Sequence, residues 1–454
     1  MYYERTQRPS YVRQNSHVCL DLYSGPHRSN DLGGWMTSLR ITNVHLIDPE
    51  LQTIQLGSLT IIDGRIAADD LSAPTLDGGG KYLAPGIVDI GVKVCEPGER
   101  HKESFRSAGL AAAAGGVTTM VTRPDTDPAI DSPETLEFAT RRAQAACAVH
   151  TYQMAALTKG RLGREMTEIG FMQDAGAVAF TDRDLVVSDT KVLARALTYA
   201  QQLGALVIGH PQDPGLSKGA AATTGKFASL RAIPAASPMA ERLGLERDLA
   251  LVEMTGAKYH ADQISTALAL PALERAKQQG LDVTAGVSIH HLTLNEFDVA
   301  DYRSFFKVKP PLRSEEDRLA MVAALAAGIL DIISSMHTPQ DEESKRLPYE
   351  QAASGAVALE TLLPAALRLY HADHLSLPQL FRAMSLNPAK LLGLPGGSLA
   401  HGAPADLILF DPDTPFVLDR FKLRSKSKNT PFDGQLMQGQ VLATFVHGQK
   451  VYQR

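Results

Sequence analysis

The residues best placed for chemistry lie on a short apolar run, Ile87 to Val94, within LAPGIVDIGVKVCEPG. Asp89, Gly91, Lys93 and Cys95 recur at every second position, the spacing that carries side chains to one face of a strand. A metal-dependent hydrolase would be expected to carry histidines at 91 and 93, holding a divalent cation that activates water. Here those positions are Gly91 and Lys93.

Other polar residues close apolar runs further along. Arg123, Asp125 and Asp127 stand in TRPDTDPAID, Asp182, Arg183 and Asp184 in AFTDRD, and His210 and Asp213 in VIGHPQD. Gln263 follows YHAD, one run leads to His290-His291, and another to Met336-His337. Asp182 and His210 are the better candidates for a common pocket. The plainer alternative is structural, since strand-end aspartates cap helices and adjacent histidines satisfy backbone groups. One imidazole and one carboxylate make a poor zinc site, because catalytic zinc usually has three protein ligands. His101 is expected to face solvent, His260 has the wrong alternation and His337 is displaced by one residue, so no catalytic metal centre or cofactor is expected.

Candidate strands recur at 87–94, 117–122, 148–154, 177–180, 205–210, 257–262, 282–288 and 329–334, with helical patterns between most of them. Asp131-Ser-Pro-Glu134 and Ser314-Glu-Glu-Asp317 read as helix starts. Eight strands alternating with helices give an α/β fold, a (β/α)8 TIM-like barrel with its site at the C-terminal strand ends. An open doubly wound sheet is the competing fold, but no Gly-x-Gly-x-x-Gly follows an early strand. Short β runs with Gly turns occupy both chain ends, Asp63-Gly64 being a hairpin signal. The expected organisation is a polar extension at 1–37, a small β domain built from 38–84 together with 393–454, and a barrel at 85–392.

The net charge of −5 and the absence of a general basic surface argue against nucleic acid as a partner. No apolar segment is long enough to span a bilayer, and the first residues lack a secretory pattern. Cys19, Cys95 and Cys147 show neither metal-ligand spacing nor a disulfide framework, so a reducing, cytoplasmic setting is expected.

Several longer motifs carry a resemblance: PGIVDI with EPG, AAAGGVTTMVTRPDTDP, GAVAFTD, KVKPPLRSEEDR, SSMHTPQDEES, GAVALETLLP and NPAKLLGLPGG with PADLILFDPD. Over about residues 39–454 the chain resembles the dihydroorotase family of the amidohydrolase superfamily. The resemblance implies that Gly91 and Lys93 occupy two metal-histidine positions, Cys95 a substrate-binding arginine and Asp125 a substrate-contacting asparagine. It likewise implies that Asp182 retains the family's strand 4 aspartate and His210 its strand 5 histidine. Gln263 stands for a metal histidine, Lys309 for a substrate-contacting asparagine, and Met336 for the aspartate that is both ligand and base.

Dihydroorotase closes N-carbamoyl-L-aspartate to dihydroorotate, and its metal-bound hydroxide needs those ligands and that base. The pattern therefore implies a non-catalytic homologue, of the type that partners the aspartate transcarbamoylase catalytic chain as a structural or regulatory subunit. A homo-oligomer, at least a dimer, is expected, with 1–37 as a candidate contact arm. Two alternatives stand beside this: an active cyclic amidohydrolase with an atypical site using His210 and Lys93, and a carbamoyl-aspartate binder using Lys93, Lys309, Arg123 and Arg183. Without a cation, Lys93 is expected to form an ion pair or a water-bridged contact with Asp182 at the barrel centre, near His210.

Overall fold

The structure, a computed structural model, describes residues 38–454. The expectations for residues 1–37 lie outside the described residues.

An eight-membered ring of parallel segments forms the larger part of the fold. Strands β5 (Ile87–Val92), β6 (Val117–Thr122) and β7 (His150–Gln153) pair in that order. Strand β8 (Leu206–Gly209) starts the other arc, which continues through β11 (Lys258–Ala261), β12 (Val283–Ser288) and β13 (Ile332–Ser334). A short parallel pair, β9 (Ala222–Thr223) with β10 (Ala235–Ala236), lies between β8 and β11 in sequence. Every residue of β5 and β6 is buried, as befits parallel strands covered on both faces.

The segment expected to be the fourth strand is shorter than its apolar run suggests. Phe180 alone bridges both neighbours, Ala155 on one side and Val207 on the other. Phe180 donates to Leu206 O at 2.9 Å and accepts from Ile208 N at 2.8 Å, so the ring is continuous there even though the ladder is too short to count as a strand. Closure between β13 and β5 comes from a bridge between Val92 and His337, where Lys93 N donates to His337 O at 2.9 Å.

The helix starts follow local chemistry. Helix α1 (Phe105–Ala114) begins at Ser104, whose side chain accepts from Ser107 N; helix α2 (Pro133–Ala146) begins at Ser132, with proline at its first position. Ser314 caps the helix Glu315–Ala326 in the same manner.

A seven-stranded sheet draws on both ends of the chain. Its order is β16 (Gln449–Gln453), β15 (Leu436–Val446), β14 (Leu407–Val417), β4 (Thr75–Pro85), β1 (Ser38–Asp48), β2 (Thr53–Ile62) and β3 (Arg65–Ala67). The β2–β3 turn is Asp63-Gly64, both with positive φ, 49° and 75°. This sheet has its own apolar cluster, including Ile41, Leu83, Leu407 and Phe445. β4 leads through Gly86 directly into β5, tying sheet to barrel. Residues between β14 and β15 leave the sheet: Asn429 Nδ2 donates to Thr338 O at 3.1 Å and Gly355 O at 3.0 Å, and Ser425 donates to Glu103. Part of the C-terminal segment thereby covers loops that follow the barrel strands. Among the described residues, no helix is long and apolar enough to cross a membrane.

Candidate functional site: the mouth of the barrel

The C-terminal strand ends bring most of the expected site residues to one end of the ring, but not into one cavity. Asp89 is fully buried on β5. Its Oδ1 accepts from Gly91 N at 3.0 Å and Ser335 N at 3.1 Å, clasping β5 to the end of β13. Burial raises the Asp89 pKa, and Oδ2 has no hydrogen-bond partner among the described residues.

Gly91 leaves no hole. A Cβ there would lie 2.9 Å from Met336 N, 3.0 Å from Ser334 Cβ and 3.1 Å from Met336 Sδ. Met336 and its backbone therefore fill the space that a histidine at 91 would need. Gly91→Ala should cost about 1–3 kcal/mol in a denaturant titration, because a backbone nitrogen cannot move aside as a flexible side chain can.

Among the described residues Lys93 makes no direct ion pair with Asp182, contrary to the expected ion pair. Its Nζ lies 3.5 Å from Asp125 Oδ2 and 3.5 Å from Glu99 Oε2. Asp182 instead accepts from Thr158 N at 3.0 Å and from the Thr158 hydroxyl. Burial raises the Asp182 pKa, and both of its oxygens are taken up by Thr158. Asp125 is buried and also meets Arg183 Nε at 3.1 Å.

Two further carboxylates, Asp184 and Asp262, organise the mouth. Asp184 meets Arg183 at 3.2 Å, Lys309 at 3.2 Å and Arg161 at 3.3 Å. Burial alone would raise its pKa, but Arg183 and Lys309 hold it well below the usual carboxylate range. Asp262 Oδ2 accepts from Arg123 Nη1 at 2.8 Å, with both side chains buried. Strand-end position already suggested Asp184, whereas Asp262 was counted only as the end of an apolar run; its sequence signal was alternation with His260.

His210 lies buried at the end of β8, and neither ring nitrogen has a hydrogen-bond partner among the described residues. Burial, followed by the Lys309 charge, lowers its pKa to about 4, so the ring is neutral near pH 7. Cys95 is buried as well, and burial pushes its thiol up to about 12. Such a thiol is a poor nucleophile.

A cavity of about 40 Å³ remains at the mouth, bordered by Arg183, Gln263, His290, His291, Lys309 and Met336 among others. Of the ten expected pocket residues, Gln263, Lys309 and Met336 border it; Asp89, Gly91, Lys93, Cys95, Asp125, Asp182 and His210 do not. This volume suits roughly one to three water molecules, far below the ~300 Å³ at which small-molecule sites begin. Arg183, Gln263 and Met336 share a left-handed backbone, with φ of 59°, 57° and 50°, at the ends of the fourth, sixth and eighth ring segments. That conformation is costly for residues with a Cβ and clusters at functional sites. No sequence signal announced it.

One ring nitrogen of each histidine in the pair is held by a neighbour, and both rings border the cavity. His290 Nδ1 lies 3.1 Å from Ser288 Oγ and its ring stacks on Phe432 at 6.1 Å, while His291 Nε2 is 3.3 Å from Pro311 O. His101 is exposed and 3.5 Å from Asp341, as its position past a Pro-Gly suggested.

The donor set at the mouth does not fit a catalytic metal. Gly91 has no donor, Lys93 is a paired ammonium, Gln263 is an amide 3.5 Å from Asp262, and Met336 offers a soft thioether. Asp262 and Asp125, two carboxylates a cation could use, are already paired with Arg123 and Arg183. What the arrangement does chemically is close itself through ion pairs.

Comparison with known proteins agrees with the architecture. Residues 80–268 match the family described as Dihydro-orotase-like, and residues 347–452 match the Amidohydrolase family. A dihydroorotase of Wolbachia sp. subsp. Drosophila simulans is 38% identical over 90% of this chain and 95% of its own length. A dihydroorotase of Aquifex aeolicus is 34% identical over 92% of this chain and 100% of its own. Among solved structures, L-hydantoinase from Arthrobacter aurescens superposes with a TM-score of 0.84 at 26% identity, covering 92% of this chain and 96% of that one. With a (β/α)8 barrel, a sheet built from both chain ends and near full-length relatives of this kind, the chain belongs to the dihydroorotase family of the amidohydrolase superfamily.

Proposed function

We propose that this protein is a dihydroorotase homologue without metal-dependent turnover, serving as a structural or regulatory partner of the aspartate transcarbamoylase catalytic chain. The observation that carries the first half is the barrel mouth: its charges are tied up in Arg123–Asp262, Arg183–Asp125 and Lys93–Asp125 pairs, and of these residues only Arg183 borders the cavity of about 40 Å³. Carbamoyl aspartate does not fit such a space. The partner half rests on the resemblance of the motifs, and a closed oligomer of at least two copies is part of the same proposal.

A second reading has its own support. The relatives at 34–38% identity bear the name dihydroorotase, which favours an active dihydroorotase with an atypical site. In that reading His210 is the remaining base, and its lowered pKa of about 4 leaves it unprotonated at neutral pH. Binding of carbamoyl aspartate by Lys93, Lys309, Arg123 and Arg183 is less favoured, since each is paired with a protein carboxylate.

Co-expression with the aspartate transcarbamoylase of the same organism, purification through a tag on this chain, and assay of both activities with zinc supplied separates the readings. The expected result is co-elution and transcarbamoylase activity, with no cyclisation of carbamoyl aspartate above background. Zinc-dependent cyclisation by this chain alone would overturn the proposal. Elution without the partner would remove its second half.

A further inference from the structure

Far from the mouth, three groups that suit a transition-metal cation converge where the seven-stranded sheet meets the barrel floor. His150 opens β7, Asp406 immediately precedes β14, and His447 forms the β15–β16 turn. His150 Nε2 lies 3.2 Å from Asp406 Oδ1. The two imidazoles meet edge to face, with centroids 4.7 Å apart and planes at 89°. One ligand atom from each residue lies within 4.8 Å of the others.

The setting distinguishes this group from a chance surface cluster. Asp406 is buried, at 4% exposure, and a buried carboxylate is costly unless it is paired. Its backbone is fixed from both sides: Asp406 O accepts from Gly86 N at 2.8 Å, and Asp406 Oδ1 accepts from His447 N at 2.8 Å. His447 is held at φ 47° and Gly448 at 72°, and Gly448 N donates to Ala405 O at 2.9 Å. The turn thus holds the exposed imidazole beside a fixed carboxylate and a half-buried second imidazole.

The geometry points to a divalent transition-metal site formed by His150, Asp406 and His447, which joins the β15–β16 hairpin to the barrel floor. Two imidazoles and one carboxylate favour zinc, cobalt or nickel over magnesium or calcium, which prefer all-oxygen sets. A tetrahedral ion with bonds of about 2.0–2.2 Å needs ligand atoms about 3.3 Å apart. Rotation of His447, the exposed member, closes that gap, and water completes the coordination. The position is the N-terminal end of the ring, where barrels place stability rather than catalysis. The role is therefore a staple between layers, independent of whether the mouth turns over substrate.

The test compares the full chain with His447→Asn, a residue that tolerates the left-handed turn, and with His150→Gln, which keeps a hydrogen-bonding side chain. Each is dialysed against micromolar zinc, and bound metal and the thermal unfolding midpoint are measured. The expected result is one zinc equivalent more in the wild type than in either variant. The wild-type midpoint should rise by about 2–4 °C at a hundredfold excess over Kd, with no such rise in the variants. The difference between proteins cancels metal bound anywhere else, including the barrel mouth. Cobalt substitution should give the intense visible bands of a tetrahedral ion. Equal zinc content in the wild type and His447→Asn, with both folded by circular dichroism, would overturn the proposal.

Discussion

Asp262→Ala is expected to destabilise the protein by about 3–5 kcal/mol, because it leaves a guanidinium buried without its counter-ion. Arg123 Nη1 and Asp262 Oδ2 are 2.8 Å apart, with side-chain exposures of 1% and 2%. Arg123 Nε and Nη2 have no hydrogen-bond partner among the described residues, so nothing else there takes over when the carboxylate is removed. Although burial pushes the Asp262 carboxyl up, Arg123 holds it below its ordinary range, which marks the pair as ionic. Removing both charges should behave differently. An Arg123→Met, Asp262→Leu double variant restores apolar packing and should recover all but about 1 kcal/mol, since buried ion pairs are often no more stabilising than their hydrophobic replacements. Urea titration of the wild type, both single variants and the double variant reads the coupling directly. A loss below about 1 kcal/mol for Asp262→Ala would mean that water reaches Arg123. The closed mouth on which the functional proposal stands would then be wrong.

The barrel and its strand ends were legible because β-strand alternation, Pro-Gly exits and serine caps are local signals. Asp89, Lys93, Asp182 and His210 all fall at the end where their spacing places them. Pairing was not legible in the same way. Lys93 meets Asp125 rather than Asp182 because Thr158, a residue on another segment, already satisfies Asp182, and no sequence pattern records that competition. The Arg123–Asp262 pair spans 139 residues of chain and depends on ring closure. The short fourth segment was overestimated because an apolar run reports burial, whereas strand length depends on how many neighbours the backbone can reach. Gly91 was readable as a missing ligand but not as a filled one. Met336, distant in the chain, comes within 3.1 Å of where its Cβ would be only through ring closure. The His150, Asp406 and His447 cluster draws on three distant segments and carries no motif at all.

His290→Phe is expected to flatten the acid limb of the stability curve by about one proton. His290 is buried, and burial, followed by the neighbouring His291, His337 and Lys345, lowers its pKa to about 3. The unfolded imidazole titrates near 6.5, so between pH 6.5 and 3 the unfolded chain binds one more proton than the folded one at this position. Its contribution is therefore fully present above pH 6.5 and is lost as pH falls toward 3. At about 1.4 kcal/mol per pH unit, the wild type should lose roughly 3 kcal/mol more than the variant between pH 7 and pH 4. Phenylalanine keeps a ring against Phe432, 6.1 Å away, and gives up only the Ser288 contact, a cost that does not change with pH. Taking the difference between the two proteins also removes the other titrating groups. His210, His260 and His291, each lowered to about 4, act in the same sense, while Glu360, raised to about 7 by burial, acts in the opposite one. Denaturant midpoints across this pH range provide the measurement. Parallel curves for the two proteins would show that His290 titrates normally in the folded state. That would require water at the ring, and with it a mouth more open than a cavity of about 40 Å³ allows.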